Sequence, residues 1–188
     1  MTRFIFLHGV GSTGAAMRPL AESLGVTATA HFPDGPHPFD MGQGRQWFSV
    51  KGVTEANRPD RIKAAMPEFR AVIESFGDPA DSVLVGFSQG AIMALHAAAV
   101  GLPVRAVFAL SGRLAGPVAA QDDWPPITLV HGAADPVIAG KMALATEGWL
   151  KAAGASPTLH LFEGLGHGVD DRVLSALSPG IKGLATGM

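Results

Sequence analysis

The chain has 188 residues, 47% hydrophobic and 16% charged, which suits a single domain spanning residues 1–188 with a full core rather than two domains. A formal charge of -2 and an isoelectric point near 6.4, with no run of Lys or Arg, exclude the electrostatic footprint of a nucleic-acid partner. The lack of cysteine excludes disulfides, thiolate nucleophiles and Cys-ligated metals together.

The first apolar run, Met1 to Leu7, is cut short by His8 and Gly9, so no signal peptide is expected and the chain reads as cytoplasmic. Short apolar runs then alternate with helical stretches. Strands are expected at Arg3–Leu7, Thr27–Phe32, Ser82–Gly86, Val104–Leu110, Ile127–Val130 and Thr158–Phe162. Their nearly continuous apolar character is that of parallel strands covered on both faces. Helices are expected at Thr13–Leu24, Arg61–Phe76, Gln89–Val100, Ala139–Ala153 and Val169–Leu177, with a kink or restart at Pro67. The most apolar stretch, Ala91 to Leu102, contains His96 and Gly101 and falls short of the ~20 residues of a bilayer span, so it reads as a buried helix. The alternation implies an α/β fold, a doubly wound and mostly parallel sheet with helices on both faces, in which ligands bind beyond the carboxyl ends of the strands. Two segments break the pattern. Pro33–Asn57 is a long Pro- and Gly-rich connection carrying Trp47 and Phe48, aromatics that can equally line a pocket or plug the core. Arg113–Pro126 shows no obvious chemistry.

Where the third strand meets the third helix stands Gly86-Phe87-Ser88-Gln89-Gly90. A G-x-S-x-G between strand and helix is a nucleophile elbow: the tight turn holds the serine hydroxyl above the sheet edge, at a helix amino end whose free N–H groups can stabilise an oxyanion. The pentapeptide alone also occurs in ordinary turns, so partners are needed. After the fifth strand comes His131-Gly132-Ala133-Ala134-Asp135-Pro136, and after the sixth Glu163-Gly164-Leu165-Gly166-His167-Gly168. A parallel sheet brings all these strand ends to one edge, and the order Ser88, Asp135, His167 is that of the α/β-hydrolases. In this reading His167 takes the proton from Ser88 as it attacks an acyl carbon, and Asp135 fixes the imidazole tautomer. Asp123, Asp170 and Asp171 compete for the acid role, and the strand-end position favours Asp135.

The remaining histidines read as structural. His31 and His37 flank Asp34 in a Pro-rich segment without a metal-site spacing, His96 and His160 lie within a helix and a strand, and His8 and His131 precede glycines at strand ends where an imidazole braces a loop. Gly9-Val10-Gly11-Ser12-Thr13-Gly14 satisfies the dinucleotide fingerprint, with Asp34 about 20 residues on. Asp34 lies beyond Pro33 rather than at a strand tip, and the fingerprint leaves Ser88, Asp135 and His167 unexplained. In the hydrolase reading the same loop aims a backbone N–H at the point addressed by the N–H of Gln89.

Assembled, these segments resemble the phospholipase/carboxylesterase family of α/β-hydrolases, which includes the acyl-protein thioesterases. Phe4 to Gly14 resembles its first strand and oxyanion loop, Gly86 to Ala91 its nucleophile segment, Trp47-Phe48 a Trp-Phe pair before the next helix, and His131-Gly132 with Asp135-Pro136 its acid loop. The resemblance implies Ser88, Asp135 and His167 as catalytic residues, Val10 and Gln89 as the oxyanion hole, Trp47 and Phe48 as substrate contacts, and neither cofactor nor metal. Substrate identity does not carry over with it; the chain reads as a small carboxylesterase for a small-molecule acyl ester or thioester of short or medium chain, while charge argues against a nucleic-acid partner and segment length against a membrane span. The fold is expected in a minimal version without the antiparallel strands that often precede the oxyanion strand, Ala91 replaces a usual glycine, and the surroundings of His167 differ from the usual ones. The alternatives are a non-catalytic small-ligand-binding protein of the same fold and, behind it, a nucleotide-dependent oxidoreductase.

Overall fold

A computed structural model describes residues 2–186; Met1, Gly187 and Met188, which the single-domain expectation includes, lie outside them. The chain opens with β1 (Arg3–Leu7), a short 3-10 turn and α1 (Arg18–Leu24), then β2 (Ala30–His31). Two-residue strands β3 (His37–Pro38) and β4 (Arg45–Gln46) form a small antiparallel pair before α2 (Arg58–Glu74). Next come β5 (Ser82–Phe87), α3 (Gln89–Ala99), β6 (Ala106–Leu110), β7 (Ile127–Gly132), α4 (Lys141–Ala152), β8 (Thr158–Phe162) and α5 (Asp171–Thr186). Six strands form one parallel sheet in the order β2-β1-β5-β6-β7-β8.

Alternation along each strand builds two cores. Ile5, Leu7, Leu84, Val107 and Leu129 face α2, α3 and α4, while Phe4, Phe6, Val83, Val85, Phe108 and Val130 face α1 and α5. The strand order reverses between β1 and β5, so the crevice beyond their carboxyl ends is the topological switch point of the sheet. No helix among the described residues is long and apolar enough to cross a membrane.

Three expectations need correction. The segment Thr27–Phe32 is mostly not strand: Thr27–Thr29 makes a 3-10 turn and only Ala30 and His31 pair with β1, at the edge of the sheet, where a short strand limits stray pairing. Helix α2 begins at Arg58, with Pro59 in its first turn, and runs through Pro67 without a restart because Ile62, Phe69 and Ile73 are buried along it. Helix α5 continues past Pro179 to Thr186. A proline inside a helix costs about 3 kcal/mol, and burial of Ile181 in line with Val173 and Leu177 returns roughly 1.5–3 kcal/mol, with partly buried Leu184 adding to it.

Candidate active site

Ser88 sits between β5 and α3 with φ 53° and ψ −114°, a conformation few non-glycine residues adopt. Its flanking glycines are required by contact: a Cβ on Gly86 would lie 2.5 Å from Ala91 N, and one on Gly90 would lie 2.2 Å from Leu7 O. The turn is held by Ser88 N–H donating to Leu110 O at 2.9 Å. The serine is buried but lines two crevices, one of about 590 Å³ and one of about 430 Å³.

The loops after β7 and β8 bring the other two residues to it. Ser88 Oγ lies 2.9 Å from His167 Nε2, and His167 Nδ1 lies 2.7 Å from Asp135 Oδ2. Asp135 Oδ1 accepts from Val137 N–H at 2.8 Å and Ile138 N–H at 2.9 Å, which fixes the carboxylate at the turn before α4. Burial opposes charge on Asp135. The His167 hydrogen bond and the Ile138 and Val137 N–H groups outweigh it, and the carboxyl is held below its ordinary range. With Asp135 ionised, the proton between the two residues belongs on Nδ1, leaving Nε2 as the acceptor facing Ser88. His131 Nε2 donates to Ile138 O at 2.7 Å and lies 3.3 Å from Asp135 Oδ2, so this histidine braces the same turn. Asp123, Asp170 and Asp171 are not part of this arrangement; Asp170 instead pairs with Arg172 at 2.7 Å.

Val10 and Gln89 flank Ser88 in the larger crevice. Gln89 opens α3, where N–H groups have no intrahelical acceptor. The loop carrying Val10 is pinned on both sides, by Gly11 N–H to Arg45 O at 2.9 Å and Ser12 N–H to Gly9 O at 3.2 Å. His8 braces it from below, donating from Nδ1 to Gly9 O at 2.7 Å and accepting Gly35 N–H on Nε2 at 2.9 Å. Burial lowers its pKa, opposed by the Gly9 carbonyl and Asp34, so this donor-acceptor pattern of a neutral ring persists. Asp34, the acid of the dinucleotide fingerprint, accepts Gly14 N–H at 2.7 Å, and a Cβ on Gly14 would lie 2.1 Å from Phe32 O. Packing within the loop accounts for that glycine and that carboxylate.

The two aromatics separate. Phe48 lines the larger crevice, whereas Trp47 is 1% exposed behind it, edge-on to Phe69 and donating from Nε1 to His8 O at 2.9 Å. The Gln89 carboxamide ties both to the elbow: Oε1 accepts Trp47 N–H at 2.8 Å and Nε2 donates to Phe48 O at 2.7 Å. Among the other histidines, His37 pairs with Glu68 at 2.7 Å, His31 packs on Phe76, His160 stacks on Phe162, and His96 donates to Ile92 O at 2.8 Å.

Sequence reading missed Arg113. It follows β6 by way of Ser111, whose φ of 49° turns the chain off the strand, and it is 7% exposed in the wall of the larger crevice. Its position just past the carboxyl end of a central strand was the available signal.

A profile described as Phospholipase/Carboxylesterase matches residues 2–184. The chain belongs to the phospholipase/carboxylesterase family. Within it, the chain is similar to esterase YpfH of Escherichia coli (strain K12), at 38% identity over 89% of this chain and 76% of that protein. It is also similar to acyl-protein thioesterase 1 of Neurospora crassa, at 27% identity over 87% of this chain and 78% of the relative. Among solved structures, esterase PE8 superposes with a TM-score of 0.85 at 27% identity, covering 97% of this chain and 92% of that one. The fold of this family member is that of α/β-hydrolase esterases.

Proposed function

We propose that the protein is a serine hydrolase that cleaves short- or medium-chain acyl esters or thioesters through an acyl-enzyme on Ser88. The observation that carries this reading is the hydrogen-bonded chain from Ser88 Oγ through His167 to buried Asp135. Ser88 Oγ attacks the acyl carbon as His167 Nε2 takes its proton, and Asp135 stabilises the imidazolium so formed. Negative charge gathering on the carbonyl oxygen is met by the N–H groups of Val10 and Gln89. His167 then returns the proton to the leaving oxygen or sulfur, the acyl group stays on Ser88, and a water activated by the same imidazole releases the acid.

The two crevices divide the substrate. A leaving group must reach the proton on His167, and His167 lines the smaller crevice with Ser12, Met17 and Phe87. The acyl chain then takes the larger one, beside Phe48, Ile92 and Ile138. A fluorophosphonate probe separates an enzyme from a ligand-binding protein of the same fold. Covalent labelling of the wild type and none of a folded Ser88→Ala variant is expected, whereas labelling of both at equal rates removes Ser88 from the role.

A further inference from the structure

The wall of the larger crevice carries charged side chains beside its apolar ones. Arg58, Arg113 and Lys141 line it, with Glu55 as the one carboxylate among its lining residues. Arg113 is bidentate to Glu55, through Nη1 to Oε1 at 3.2 Å and Nη2 to Oε2, and Arg58 Nη2 shares the same Oε1 at 3.3 Å. Three cations against one carboxylate leave positive charge in excess.

The partners differ in how firmly they are held. The Arg113 side chain is 8% exposed, donates from Nε to Leu114 O at 3.1 Å, and sits on a pinned loop. Leu114 N–H bonds Thr146 Oγ1 at 3.0 Å, and Ala115 N–H bonds His96 Nε2 at 3.2 Å. Glu55 is 68% exposed on a turn, where a carboxylate exchanges readily with solvent. Arg58, in the same wall, has its Nε buried with no acceptor among the described residues. A fixed arginine, a second one sharing the same carboxylate through Nη2, and a displaceable counter-ion form a receptor for a carboxylate.

We propose that Arg113 and Arg58, assisted by Lys141, select acyl chains that end in a carboxylate, making esters or thioesters of dicarboxylic acids the preferred substrates. The proposal rests on the acyl-enzyme reading, which gives this crevice to the acyl chain. The carboxylate takes the place of Glu55 on the two guanidinium groups, while the methylene chain lies along Phe48, Ile92 and Val137.

The test uses N-acetylcysteamine thioesters of glutaric acid and of its monoamide, which differ in terminal charge and not in length. Thiol release by the wild type should favour the acid at least about tenfold in kcat/KM. Arg113→Met and, separately, Arg58→Met should each reduce that ratio, whereas Glu55→Gln should raise it, a gain that misfolding cannot imitate. Calorimetry of both thioesters on Ser88→Ala reads the same preference without turnover. Equal kcat/KM and equal binding for the two, or a ratio unmoved by all three substitutions, overturns the carboxylate subsite and leaves the hydrolase reading standing. Selective binding of the acid without thiol release by the wild type supports the subsite and overturns the hydrolase reading.

Discussion

Asp135 and Asp170 lie on either side of His167 in the final third of the chain, and only their surroundings separate them. Asp135 is buried, accepts two backbone N–H groups and meets His167 Nδ1 at 2.7 Å, whereas Asp170 is only half-buried and holds Arg172. Neutralising the first removes the acceptor that fixes the tautomer, so Asp135→Asn should lower kcat by about 10⁴-fold, as neutralising a triad acid does elsewhere. Asp170→Asn should change kcat less than about threefold, since Arg172 is the partner it loses. Steady-state kinetics on both variants checks this, and the reverse ranking would move the acid role. Ser88, Asp135 and His167 could all be placed from the sequence because each follows a short apolar strand, and parallel strands share one carboxyl edge. Arg113 follows a strand in the same way. It went unread because no motif surrounds it and its partner Glu55 lies in a segment without periodicity.

The six strand positions were largely readable from apolar runs bounded by Gly and Pro. What escaped reading were places where packing overrules local propensity. The apolar pattern ends the last helix at Leu177, but Ile181 packs in the core that faces α1 and α5, and Thr27–Thr29 is β-favouring in composition but forms a 3-10 turn at the sheet edge. Trp47 and Phe48 left pocket and core equally open; both are buried in the core, and Phe48 also walls the larger crevice. Helix α3 carries a further consequence. Burial, reinforced by Arg113, lowers the pKa of His96 to about 4, against the pull of the Ile92 carbonyl, so the ring is neutral in the fold and accepts Ala115 N–H. The unfolded chain binds this proton near about 6.5. Between those values the unfolded state holds more protons, so this contribution is complete above about pH 6.5 and is lost as pH falls towards 4. It amounts to about 3 kcal/mol. Denaturant unfolding at pH 7.5 and 5 should show a steeper loss for the wild type than for His96→Gln. Parallel losses in the two proteins would contradict the burial of a neutral His96.

The molecule as a whole uses the sheet to converge loops that are far apart in the chain. The reversal of strand order between β1 and β5 opens the crevice, β5 delivers Ser88 to it, β7 and β8 deliver Asp135 and His167, and β6 delivers Arg113. The loop after β1 and the first turn of α3 place Val10 and Gln89 beside Ser88 in the same crevice. The phospholipase/carboxylesterase family model spans residues 2–184, all the strands that deliver these loops included. The most direct test is to quench the wild type during turnover of a thioester, digest it, and weigh the peptide containing residues 86–90. That peptide should carry the mass of the acyl group on Ser88, and Ser88→Ala should yield neither the adduct nor turnover. Undiminished turnover by a folded Ser88→Ala variant would contradict the acyl-enzyme.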